Sequence, residues 1–173
     1  RVAYLLEQGV PADRILLLTF TNKAAREMMD RVTDLIGRDM SELWGGTFHS
    51  IGHRILRRHA EVLDFTRSFT IQDREDAKGL INACIAEAEI DVKATRFPKP
   101  DVVGDIGSLA INKQMDVREI VEDRYPWFEQ LTEQIIDVLA RYAKRKRANG
   151  LMDFDDLLVL WLKLMKEHVD VSE

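Results

Sequence analysis

Apolar and polar positions follow two different periods along the chain, and each change of period marks an element boundary. Val2, Ala3, Leu5 and Leu6 give a short helical pattern that Gly9 and Pro11 end. Ile15 to Leu18 are four consecutive apolar residues. Such a run ahead of a turn signal predicts a buried strand of a parallel sheet covered on both faces. From Lys23 the period becomes helical, with Ala24, Ala25, Met28, Val32, Leu35 and Ile36 recurring on one face. Thr21 or Asn22 serves as N-cap, and Gly37 is placed to stop the helix. Leu43 to Phe48 predict a second short strand, whose glycines let the backbone come close to something. A helix follows from His49, with Ile51, Ile55, Val62 and Leu63 apolar. Phe69 to Ile71 make a further candidate strand. Asp73 is a candidate cap for a helix over 74–89, whose apolar positions include Ile81, Cys84 and Ile85.

Beyond residue 95 the texture changes. Thr95 to Pro100, TRFPKP, reads as a loop with two prolines. Residues 102–115, 117–123 and 127–148 are all helix-like, with Pro126 in the first turn of the last. That helix carries a stripe of Phe128, Leu131, Ile135, Val138, Leu139 and Tyr142. Helices without an intervening strand predict a small helical part inserted into an α/β one. Leu151 and Met152 are too few for the buried strand that a magnesium carboxylate site needs. Leu157, Leu158, Leu160, Trp161 and Leu164 instead predict a helix that Asp153 caps. The expected fold is α/β and helix-rich, with a partial parallel sheet from 15–20, 44–48 and 69–71. The expected boundaries are 1–94, 95–149 for the all-helical insertion, and 150–173 for the return.

Composition narrows the class. The chain has 173 residues and one cysteine, so no intrachain disulfide is possible, which suits a reducing cytoplasm. No apolar run approaches the roughly 18 residues of a membrane span. The net charge of −5 argues against a nucleic-acid binder. Net charge is a poor guide when bases cluster, and they cluster twice. Arg54, Arg57 and Arg58 share one helix face at i, i+3, i+4, either as a solvated face or as a phosphate contact. Arg141, Lys144, Arg145, Lys146 and Arg147 end the long helix, read as a solvated end that complements the helix dipole.

The candidate chemistry sits at Phe20, Thr21 and Asn22, where a parallel strand ends and a helix begins. Ligands of open α/β sheets bind at that edge. An exposed Phe stacks a base, and Thr and Asn reach phosphate or sugar. No lysine or histidine is placed for covalent or acid/base work. The set fits single-stranded nucleic acid; the alternative is an ordinary turn with Phe20 in the core. His49 and His53 have the i, i+4 spacing of a zinc pair. Residue 50 is Ser rather than Glu, however, and no third ligand is evident.

Three stretches carry a resemblance. TFTNKAAREM at 19–28, GTFHSIGHRILRRHA at 46–60 and LMDFDDLL at 151–158 occur in the order found in UvrD/Rep-type superfamily 1 DNA helicases. The resemblance implies a partial RecA-like motor domain with an inserted helical subdomain. It implies that Phe20, Thr21, Asn22, Thr47, Phe48 and His49 lie along single-stranded DNA, with Thr47 on a phosphate and Arg54 adding charge. It also implies a contact from Asn112 and Lys113. This chain departs from the family there: Ile111 stands where lysine usually precedes Asn, and lysine follows at 113, about 100° round the helix.

None of the nine glycines is followed by Lys-Ser or Lys-Thr, and no Asp-Glu dipeptide occurs. The phosphate-cradling loop and the magnesium carboxylates of an ATP-driven helicase are therefore not in this sequence. By the resemblance, this segment lies between them in a longer protein that uses ATP and Mg²⁺, and binds neither itself. The implied partners are single-stranded DNA, single-strand/duplex junctions and the remaining helicase domains of the same chain, with no membrane. Translocation would run 3′ to 5′. Two other readings stand beside it: a free-standing single-strand-binding module, and part of a recombination-type helicase-nuclease subunit.

Overall fold

The computed structural model describes residues 1–37, 42–168 and 171. They form two compact units, 1–59 and 60–173.

The first unit runs α1 (Val2–Glu7), a 3-10 turn (Ala12–Arg14), β1 (Leu16–Thr19), α2 (Asn22–Ile36), β2 (Trp44–Thr47) and α3 (Phe48–His59). Thr21 caps α2, its side chain accepting from the Ala24 N–H at 3.1 Å. Gly37 ends α2 at φ 69°, the left-handed region that a side chain would strain. β1 and β2 pair in parallel, from Leu16 against Trp44 to Thr19 against Thr47.

Two expectations need correction here. The apolar run is not buried on both faces: Ile15 is 8% exposed but Leu16 is 47% exposed. In this unit Leu6, Ile15, Val32 and Leu43 form one buried cluster, with Met29 and Ile36 against it, and Ile51 and Leu56 of α3 are buried besides. The glycines of β2 admit neighbouring helices rather than a ligand. A Cβ at Gly45 would lie 2.3 Å from Met29 Sδ of α2, and one at Gly46 2.5 Å from Ser50 Oγ of α3.

The second unit begins with a 3-10 turn (Ala60–Leu63) and β3 (Thr70–Ile71). Then come α4 (Arg74–Glu87), α5 (Val92–Thr95), α6 (Pro100–Lys113) and α7 (Val117–Arg124). A 3-10 helix (Pro126–Leu131), α8 (Thr132–Ala148), β4 (Leu151–Met152) and α9 (Phe154–Glu167) complete it. Among the described residues no strand lies between 100 and 149. Its core gathers one face of each long helix: Ile81, Cys84 and Ile85 of α4, Val103 and Ile106 of α6, Ile120 of α7, and Ile135 and Val138 of α8. A Cβ at Gly107 would sit 2.7 Å from Leu139 Cδ2, so α6 and α8 cross closely at that glycine.

Three boundaries differ from the pattern. Thr95 closes α5 and Pro100 opens α6, which shortens the proline loop to 96–99. Pro126 opens a 3-10 segment, and α8 itself starts at Thr132. Leu151 and Met152 form a strand after all, in parallel with β3: the Thr70 N–H donates to Gly150 O and the Gln72 N–H to Met152 O, both at 2.9 Å. Two residues suffice because the partner strand comes from far back along the chain, which local pattern cannot reveal. Among the described residues no helix is long and apolar enough to cross a membrane.

Candidate nucleic-acid interface

In the first unit the two paired strands end together at Thr19 and Thr47, and the next residues carry the aromatic side chains. Phe20 is 90% exposed. Its ring centroid lies 5.5 Å from that of Phe48, tilted by 41°. The parallel register brings them together: equal positions on β1 and β2 reach the same edge, and α2 and α3 both start there. Thr21 and Asn22, both exposed, flank Phe20 at the start of α2.

Thr47 is nearly buried, at 9% exposure. Its hydroxyl accepts from the Ser50 N–H at 3.2 Å and donates to Ser50 Oγ at 3.1 Å, while Ser50 Oγ donates to Thr47 O at 2.9 Å. Thr47 thus holds the first turn of α3. His49 is half-buried in that turn.

Arg54 is not gathered with the aromatic pair. Its guanidinium lies 4.2 Å from the ring centroid of Trp44, the first residue of β2, and Arg58 lies 5.5 Å from the same ring. Arg57 turns elsewhere, its Nε donating to His53 Nε2 at 2.9 Å. Burial, then the Arg57 charge, holds His53 below the ordinary imidazole range. Among the described residues no group of three metal-ligating side chains occurs.

Asn112 and Lys113 belong to the second unit, exposed at the end of α6. The Asn112 amide donates to Ser108 O and to Asp155 Oδ1, both at 2.8 Å. That ties the end of α6 to the start of α9.

The second basic cluster is not a solvated helix end. Lys146 is 6% exposed, with Nζ 2.5 Å from Asp153 Oδ2 and 2.6 Å from Asp156 Oδ2. Tyr142 donates to Asp153 at 3.0 Å and receives a hydrogen bond from the buried Gln72 amide. Arg145 pairs with Glu87, and Arg147 donates to Leu63 O at 2.6 Å while stacking on Phe65. Asp153 caps α9 as expected, in a reciprocal capping box with Asp156. Burial opposes ionisation of both carboxyls; Lys146 more than offsets it at Asp153, held low, but not at Asp156, held high beside a second carboxylate. Sequence reading passed over Trp44, whose role is visible only once Arg54 and Arg58 are folded against it. Lys146 was hidden inside a run of like residues.

The sequence matches the family described as UvrD/REP helicase N-terminal domain over residues 1–173. It is similar to the ATP-dependent DNA helicase PcrA of Bacillus subtilis, 36% identical over 174 residues. The proteins of the same name from Staphylococcus aureus and Staphylococcus epidermidis are 35% identical over 176 residues and 36% over 174. Each alignment covers 100% of this chain and 23% of the relative, so the chain spans about a quarter of the length of the relatives it matches.

Proposed function

This chain belongs to the UvrD/REP helicase family, and from that premise we propose that it is the strand-tracking part of an ATP-dependent DNA helicase motor. It holds single-stranded DNA at the edge where β1 and β2 end. The observation that carries this reading is Phe20, 90% exposed and 5.5 Å from Phe48. Aromatic faces at the ends of parallel strands stack successive bases without regard to sequence. Thr21, Asn22 and His49 flank the pair with groups that reach phosphate and sugar. Thr47 fixes the first turn of α3, whose N–H groups favour phosphate at the same edge.

The complete protein uses ATP and Mg²⁺ on residues outside this sequence, moves 3′ to 5′ along the strand, and acts at junctions of single strand and duplex. Residues 1–94 and 150–173 belong to a RecA-like motor domain, and 95–149 are its inserted helical subdomain. The side-by-side pairing of β3 and β4 supports an insertion, since the chain leaves and returns at neighbouring strands, although α4, on the 1–94 side of that boundary, shares the core of α6 and α8.

Phe20→Ala in the complete natural protein tests the site. Single-strand affinity should fall by about 1–3 kcal/mol, the worth of one base-stacking platform, with little change in salt dependence. Undiminished affinity in a folded variant overturns the assignment. Polarity is read separately, by comparing unwinding of 3′-tailed and 5′-tailed duplexes.

A further inference from the structure

We infer that Trp44, Arg54 and Arg58 form a second nucleic-acid contact, a grip on the phosphodiester backbone distinct from the Phe20–Phe48 pair. The inference rests on the proposed function only in taking nucleic acid as the ligand. Arg54 and Arg58 are one helical turn apart on α3, separated by about 6 Å of rise. Like charges at i, i+4 repel and cost stability. Here both guanidiniums lie on one indole, at 4.2 and 5.5 Å from its centroid, within the roughly 6 Å reach of a cation–π contact.

Some exposed cations of this acidic chain are paired, Arg118 with Glu133, Arg141 with Asp137 and Arg74 with Asp105, whereas others, such as Arg26 and Arg96, form no ion pair among the described residues. Among the described residues no carboxylate forms an ion pair with Arg54 or Arg58, and both are exposed. A guanidinium stacked on a ring keeps its N–H fork free for the paired oxygens of a phosphate. The ring also restrains the two long side chains in advance, so less freedom is lost when an anion binds. Trp44 is the positioning residue of this site, and the arginines are its ligand contacts.

The contact is set apart from the aromatic pair by the length of β2. Trp44 opens that strand and Thr47 closes it, a span of about 10 Å at roughly 3.3 Å per residue. The phosphates gripped therefore come either from a continuation of the bound single strand or from the adjoining duplex.

The test measures affinity against salt concentration in the complete natural protein, on a single-stranded oligonucleotide and on a tailed duplex. Arg54→Gln with Arg58→Gln should flatten the logarithmic salt slope by about 1.4 where single strand supplies both phosphates, or about 1.8 where duplex does. A change on the tailed duplex alone assigns the phosphates to the duplex. Trp44→Leu keeps both charges and should weaken binding about two- to fivefold, the worth of an exposed cation–π contact. Trp44→Phe should restore most of it. An unchanged slope on both substrates, with the thermal midpoint of the double variant intact, overturns the proposal; so does equal affinity of Trp44→Leu and the unaltered protein. Phe20→Ala separates the two sites. If it is silent while the arginine variant flattens the slope, the strand-end groove fails and this contact stands.

Discussion

His53 illustrates how one side chain reports its surroundings. Its Nε2 accepts from Arg57 at 2.9 Å, which requires the neutral ring, and burial with the Arg57 charge holds its pKa below the ordinary 6.5. A folded value below the unfolded one means that the unfolded chain binds more protons in the window between them. The contribution to stability is therefore complete above pH 6.5 and is lost as pH falls through the folded value. A proton-NMR titration should place His53 below 6.5, and Arg57→Gln should move it upward; a ring titrating at or above 6.5 contradicts this. The sequence spacing of His49 and His53 could not show that the second ring has an arginine for its neighbour. Phe20 shows the same limit from the other side. It stands one residue, Thr19, beyond an apolar run, and nothing local distinguishes a core phenylalanine from one that is 90% exposed. The family motifs pointed to it, whereas periodicity left both outcomes open.

Among the elements, α8 departs furthest from its pattern. Its last turns read as a uniform run of cations, yet Lys146 faces inward between Asp153 and Asp156 while its neighbours reach Glu87 and Leu63. Sequence gives the charges but not the helix rotation that buries one of them. Removing one partner of a buried ionic cluster leaves uncompensated charge, so Lys146→Met should destabilise the fold by about 3–5 kcal/mol. Urea denaturation of Lys146→Met beside Lys146→Met/Asp156→Asn should show partial recovery in the double variant, because the two carboxylates no longer face each other. The α6–α8 crossing offers an independent check. Gly107→Ala brings a methyl to 2.7 Å from Leu139 Cδ2, the end of a flexible side chain, so the crowding should offset most of the roughly 1 kcal/mol that Ala gains over Gly inside a helix. Combining it with Leu139→Ala should cost less than the sum of the two changes. The helices themselves were legible, since their stripes and caps are local; Thr21, Asp73 and Asp153 all cap where the pattern put them. The strands were less so, because strand burial and pairing depend on partners remote in sequence.

At the scale of the whole molecule the two units are unequal. The first buries the cluster of Leu6, Ile15, Val32 and Leu43 together with Ile51 and Leu56 of α3, whereas the second gathers a larger cluster from four long helices. Local opening follows buried apolar contact. Amide hydrogen exchange should therefore proceed faster through β1 and β2 than through α4, α6 and α8, and equal protection would contradict that ranking. The proposed strand-end site would then lie on the unit that opens more readily, as befits a surface proposed to adapt to a strand.

The β3–β4 ladder carries a consequence for how the chain acquires its shape. A short parallel ladder joins residues 70–72 to 150–152, and everything between them is a closed loop of helices. Closing so long a loop early would cost chain entropy that so short a ladder cannot repay, whereas helix pairs meet over short separations. The bundle should therefore nucleate first and carry its own ends together, and the ladder should zip last. Substitutions at Ile71 and Met152 should accelerate unfolding and leave the folding rate nearly untouched, while Ile106 and Ile135 should slow folding. In this chain the distant strands should be brought into register by helices that finish folding before them.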